Sequence, residues 1–268
     1  MYLHVPKTGG TWVCRVLETL GEGKRVHWAE GAAHATIKEK DLESGKPLLP
    51  SQHACCMSLD PSILASRRVC ISLRDPWSWY VSYYHYALRP DPSAPGGVSH
   101  RGALRGFGKD GNVPTFRDAL LGMLGIERSS PTLFYGTNRM MDLWTELSSS
   151  NMGLYSWSTR WTLEGRGKSS GFSILRMSHL ADDLLRLLEG IGYPTNPSEK
   201  VRIRSFPRAL DGRASLVDQD AGAQTSRLLY QDDWKSLYDE ETWEAVLEKD
   251  AWVLGLIERA EHRQGRTS

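Results

Sequence analysis

The chain has 268 residues, enough for one α/β domain with a sizeable core, and its net charge of +1 removes any global argument for nucleic acid or an acidic membrane surface as partner. The four cysteines, Cys14, Cys55, Cys56 and Cys70, have neither C-x-x-C nor Cys/His finger spacing, so neither structural zinc nor a disulfide framework is indicated and a reduced compartment fits best. No apolar run reaches the ~20 residues of a membrane span, and the first strand starts directly after Met1, leaving no room for a leader; the expectation is a cytoplasmic chain with no membrane span.

In chain order, Tyr2 to Val5 reads as a short apolar strand and Val13 to Leu20 as a helix. Between them stands Pro6-Lys7-Thr8-Gly9-Gly10-Thr11-Trp12. A helix N-terminus presents unsatisfied N–H groups and the positive end of the macrodipole, so a strand–loop–helix turn is a ready anion site. Gly9 and Gly10 let backbone come close, while Lys7, Thr8 and Thr11 add a charge and two hydroxyls, which points to a phosphate. Two adjacent glycines alone read equally well as a plain connector; the lysine and threonines tip the balance. Lys7 precedes the glycines, whereas the lysine of the nucleotide-triphosphatase loop follows them, so this is not an ordinary Walker loop.

Arg68 to Leu73 reads as a buried strand, followed by Arg74-Asp75-Pro76 and an aromatic-rich helix. Arg74 stands at a strand's carboxyl end, where ligands bind in open α/β sheets, and Pro76 suits a helix's first turn. Ser82 lies about two helical turns on, so an arginine fork and a hydroxyl could share one phosphate. On spacing alone, a surface Arg74 paired with Asp75 explains the pattern as well. Arg89 to Pro114 and Met152 to Gly171 read as irregular stretches, either walls of an acceptor site or ordinary surface loops. Ser173 to Met177 reads as a strand, Leu180 to Gly190 as an amphipathic helix, and Glu241 to Glu261 as a helix turning Trp243, Val246, Leu247, Val253, Leu254 and Ile257 to the core. The whole predicts one domain over residues 1–268: a three-layer α/β fold with a central parallel sheet flanked by helices and a P-loop-like strand–loop–helix at its start.

Taken together, PKTGGTW and Arg74-Asp75-Pro76 with Ser82 resemble the sulfotransferases that use 3′-phosphoadenosine 5′-phosphosulfate (PAPS). In that family P-K-[ST]-G-[TG]-[TS]-W binds the 5′-phosphosulfate, and R-[DN]-P with a serine eight residues after the arginine binds the 3′-phosphate. The resemblance implies Lys7, Thr8, Gly9, Gly10 and Thr11 at the 5′-phosphosulfate, Trp12 stacked on the adenine, and Arg74 and Ser82 at the 3′-phosphate. SILRMSHLADDLLRLLEGIGY is similar to the family's later strand and helix, except that Ser178 stands where a glutamate is usual. The likeness covers the first ninety residues or so, and little of the middle.

Sulfuryl transfer asks a protein to align attacking and leaving oxygens and to stabilise charge on the leaving phosphate, a role that falls to Lys7. The acceptor, a small molecule or carbohydrate carrying a hydroxyl or amine, needs a base, for which histidine is the natural choice. His53 precedes the Arg74 strand by a stretch similar to that before the phosphate-binding arginine in cytosolic relatives; His34 is the rival, in a context like that of some carbohydrate-type relatives. No carboxylate cluster has metal spacing, so no metal is expected. The alternatives are a P-loop-like nucleotide-dependent kinase and a non-catalytic nucleotide-binding domain.

Overall fold

The computed structural model describes residues 1–5, 7–20, 60–66, 68–88, 114–126, 150–163, 172–206 and 232–265. In order these form β1 (Tyr2–Leu3), α1 (Gly10–Thr19), α2 (Pro61–Ser66), β2 (Val69–Leu73), α3 (Pro76–Leu88), α4 (Phe116–Met123), α5 (Leu154–Leu163) and β3 (Phe172–Arg176). They continue with a 3₁₀ turn over Met177–His179, α6 (Leu180–Gly190), α7 (Pro197–Ser205), a 3₁₀ turn over Asp232–Leu237, α8 (Glu240–Lys249) and α9 (Ala251–Gly265). The class is mixed α/β: among the described residues the sheet is parallel and three-stranded, of order β1-β2-β3, consistent with a three-layer fold. No helix among the described residues is long and apolar enough to cross a membrane.

The described residues fall into two compact units, one drawn from Met1–Arg74, Thr159–Leu216 and Ala260–Ser268, the other from Asp75–Ser158 and Val217–Arg259. The first carries the sheet. All five residues of β2 are buried, as a central parallel strand requires. Helix α6 lays Leu180, Leu184, Leu185 and Leu188 against Trp12, Val13 and Val16 of α1 and Leu175 of β3. Burial of each such side chain is worth about 1.5–3 kcal/mol, so this interface fixes α1 beside the sheet. Gly192, at φ 78°, ends the α6 segment: its N–H reaches Glu189 O, and the Tyr193 N–H reaches Leu188 O. That pairing satisfies the last carbonyls of the helix. A capping box of Asn196 and Glu199 with Pro197 at the first position starts α7.

The second unit is helical and aromatic. Trp79 and Tyr80 of α3 are buried, and Trp79 stacks on Tyr155 with ring centroids 4.5 Å apart. Asp75 caps α3, accepting the Ser78 N–H at 2.8 Å and the Ser78 hydroxyl. Two expectations are corrected. The stretch over 152–171 contains a regular helix, α5, from Leu154 to Leu163. The single helix expected from Glu241 to Glu261 is two helices that meet at Asp250, and Leu247 faces solvent at 51% exposure while Val246 and Val253 are fully buried.

Candidate functional site

Parallel pairing decides which loops share an edge. Leu3 pairs with Ile71 and Leu73 with Arg176, so β1 leaves toward Lys7, β2 toward Arg74 and β3 toward Met177 at one carboxyl edge. The sheet thus brings the Lys7 loop and Arg74 together within the first unit, on adjacent strands. Arg74 is half-buried, and the Asp75 carboxylate beside it in sequence is engaged at the α3 N-terminus.

The loop has two residues in the left-handed region, Lys7 at φ 61° and Gly9 at φ 85°. Glycine adopts this conformation freely, whereas for lysine it is strained by about 1–2 kcal/mol. Gly9 occupies the N-cap position of α1, which has no side-chain cap and no acidic residue in its first turn. The helix therefore presents main-chain N–H groups and a positive end at this edge, with Thr11 exposed just inside it. The glycines also have reasons inside the fold. A Cβ on Gly10 would lie 2.1 Å from His4 Cδ2, and one on Gly9 would lie 2.8 Å from Leu180 Cδ2.

The two threonines are placed differently. Thr8 is fully buried: its hydroxyl donates to Val5 O at 2.7 Å and sits 2.8 Å from Ser72 Oγ, which in turn lies 2.5 Å from the Tyr2 hydroxyl. A carbonyl only accepts, so the one Thr8 proton goes to Val5 O, Thr8 accepts from Ser72, and Ser72 accepts from Tyr2. The direction of the whole chain follows from its last member. Tyr2 has its phenol pushed far above the ordinary range by burial, so it stays protonated and can donate.

Trp12 is 6% exposed, stands edge-on to Phe206 and donates its indole N–H to Phe206 O at 3.1 Å. It is a core residue here, and stacking an adenine on it requires part of that packing to open. Ser82 is buried on α3, in the second unit. His53 and His34 lie outside the described residues.

Sequence reasoning missed Tyr2 and Ser72. The available signal was a hydroxyl in each of two apolar strands, because buried polar atoms require partners. It also missed the floor of a recess of about 580 Å³ beyond β3, lined by Arg176, His179, Asp182, Arg186, Lys200 and Arg204 among others. Asp183, buried beneath, takes two hydrogen bonds of 3.0 Å from the Arg176 guanidinium, one of 2.8 Å from the Arg176 N–H, and one from Arg186. Burial acts to raise the Asp183 carboxyl, but the bonds from Arg176 and Arg186 outweigh it and hold the group below the usual range. Lys200 pairs with Glu189 and Arg204 with Asp182, which leaves the recess close to charge balance. Set beside known proteins, the chain matches no family model and no curated protein.

Proposed function

We propose that the chain is a sulfotransferase that moves the sulfuryl group of PAPS to a hydroxyl or amine of a small-molecule or carbohydrate acceptor. One observation carries the reading: a lysine in the left-handed conformation opens an uncapped helix N-terminus at the sheet edge where the next strand ends in Arg74. Strained backbone at a loop between strand and helix is a mark of functional sites, and a row of main-chain N–H groups suits an anion.

The fit to PAPS is uneven. Main-chain N–H groups, Lys7 and the exposed Thr11 suit the 5′-phosphosulfate, and Arg74 suits the 3′-phosphate; the Thr8 hydroxyl is already engaged inside the fold. In the reaction, the acceptor oxygen or nitrogen forms a bond to sulfur as the bond from sulfur to the 5′-phosphate oxygen breaks. The acceptor proton goes to a base, for which His53 is favoured over His34, and adenosine 3′,5′-bisphosphate (PAP) leaves. Lys7 meets the negative charge that grows on the leaving oxygen.

The test is mass spectrometry of the purified protein for bound PAP, followed by transfer of labelled sulfate from PAPS to an acceptor panel. Binding with transfer supports the reading, and binding without transfer to any acceptor favours a non-catalytic nucleotide-binding domain. Failure to bind PAP or PAPS, with hydrolysis of a nucleoside triphosphate instead, favours the kinase.

A further inference from the structure

Thr8 carries one of the two loop hydroxyls, and it faces into the protein. Its bond to Val5 O closes the chain back on itself across Lys7, and its second bond ties that closure to β2. Lys7, between the two ends of the closure, has φ 61°. A local side-chain-to-carbonyl bond of this kind selects one turn geometry out of several. The chain from Tyr2 through Ser72 to Thr8 and Val5 O is directional and buried at its inner members, so its bonds reinforce one another.

We propose that Thr8, Ser72 and Tyr2 are positioning residues for anion capture: their hydroxyl chain holds the Lys7 turn in the strained conformation that presents its N–H groups, and none of the three touches the anion. This rests on the sulfotransferase reading for the identity of the anion, but the positioning itself concerns the unliganded loop.

The direction of the chain ranks the variants. Thr8→Val keeps the branched shape but leaves the buried Val5 O and the Ser72 proton without partners. Ser72→Ala strands the Tyr2 proton and one lone pair of Thr8, whose own proton still reaches Val5 O. Tyr2→Phe removes only a donor to Ser72, so it is the mildest. Thr8→Ser keeps every bond.

The experiment combines hydrogen–deuterium exchange of the unliganded loop amides, residues 7 to 12, with PAP titration by calorimetry and a thermal melt of each variant. Thr8→Val is expected to speed loop exchange and to weaken PAP about tenfold, with Ser72→Ala intermediate and Tyr2→Phe within about threefold of the wild type. Thr8→Ser is expected to restore wild-type behaviour in both measurements. Weaker PAP binding in Thr8→Val without faster loop exchange would mean that Thr8 contacts the anion, and the proposal fails. Should Thr8→Val not fold, Ser72→Ala and Tyr2→Phe decide: if both exchange at the wild-type rate, the chain does not hold the loop. If the wild type binds no PAP, the sulfotransferase reading falls, and the exchange ranking alone still supports or overturns the positioning role.

Discussion

Asp250 and Ser156 cap each other's helices. Asp250, the residue between α8 and α9, accepts the Ser156 N–H of α5 at 2.8 Å through Oδ1, while the Ser156 hydroxyl accepts the Val253 N–H of α9 at 3.3 Å. Each helix start thus has its open N–H group satisfied by a side chain from the other, with both residues fully buried. Asp250 Oδ2, beside the Tyr80 hydroxyl, has no regular hydrogen-bond partner among the described residues.

Burial pushes the Asp250 carboxyl up to about 6, against an ordinary value of 3.8. A raised carboxyl contributes stability that is present below the unfolded value and is lost as pH climbs through the folded one. Two pH units correspond to about 3 kcal/mol at most. Asp250→Asn keeps an acceptor for Ser156 and abolishes the titration. Urea melts from pH 4 to pH 7 are expected to show the variant gaining on the wild type as pH rises; parallel stability curves would remove Asp250 as the titrating group.

Asp183 has the opposite slope. Its carboxyl is held below the usual range, so its contribution is present above 3.8 and fades as pH falls through the lowered value. Breaking such a buried pair costs about 3–5 kcal/mol, because Arg176 keeps its charge in a largely buried place. Asp183→Asn is expected to lower the melting temperature at pH 7, with the gap to the wild type narrowing below pH 4. A gap that stays constant down to pH 2 contradicts the pairing.

Lys7 joins a strained backbone to a charge, and a substitution can separate them. Lys7→Gly relieves the left-handed strain and is expected to hold or raise stability by about 1 kcal/mol, as glycine does at such positions. On the proposed sulfotransferase reading turnover should nevertheless collapse, since charge that meets a leaving oxygen acts mainly in the transition state and appears in kcat. A raised KM with unchanged kcat would make Lys7 a ground-state anchor instead.

Arg74 offers the test of the proposed 3′-phosphate contact. A bidentate guanidinium–phosphate contact contributes on the order of 1.5–3 kcal/mol, so Arg74→Ala should weaken PAP by roughly tenfold or more in calorimetry. Unchanged affinity would place the 3′-phosphate elsewhere.

Much of the first unit was legible because its signals are local. The apolar run of β2 between turn residues and the heptad-like leucines of α6 identify themselves within a few residues. The start of α5 and the break at Asp250 were not legible, each for its own reason. The cap of α5 stands 94 residues away in sequence, so no local start signal precedes Leu154. Val246 and Val253 keep helical spacing across the break, so periodicity alone cannot reveal it. In the loop, the motif announced two hydroxyls but not their directions: Thr8 turns inward because Val5 O and Ser72 await it, a fact of tertiary packing.

The central place of β2 also governs how the protein comes into being. Its two neighbours are far off in the chain, and the second of them, β3, is synthesised roughly 100 residues after it. At ribosomal rates of about 5–20 residues per second, Val69 to Leu73 waits some 5–20 s with one edge unpaired. Five consecutive residues destined for burial are thus held open until β3 arrives, and that pairing closes a loop of roughly 100 residues, a long-range contact of the kind that slows folding.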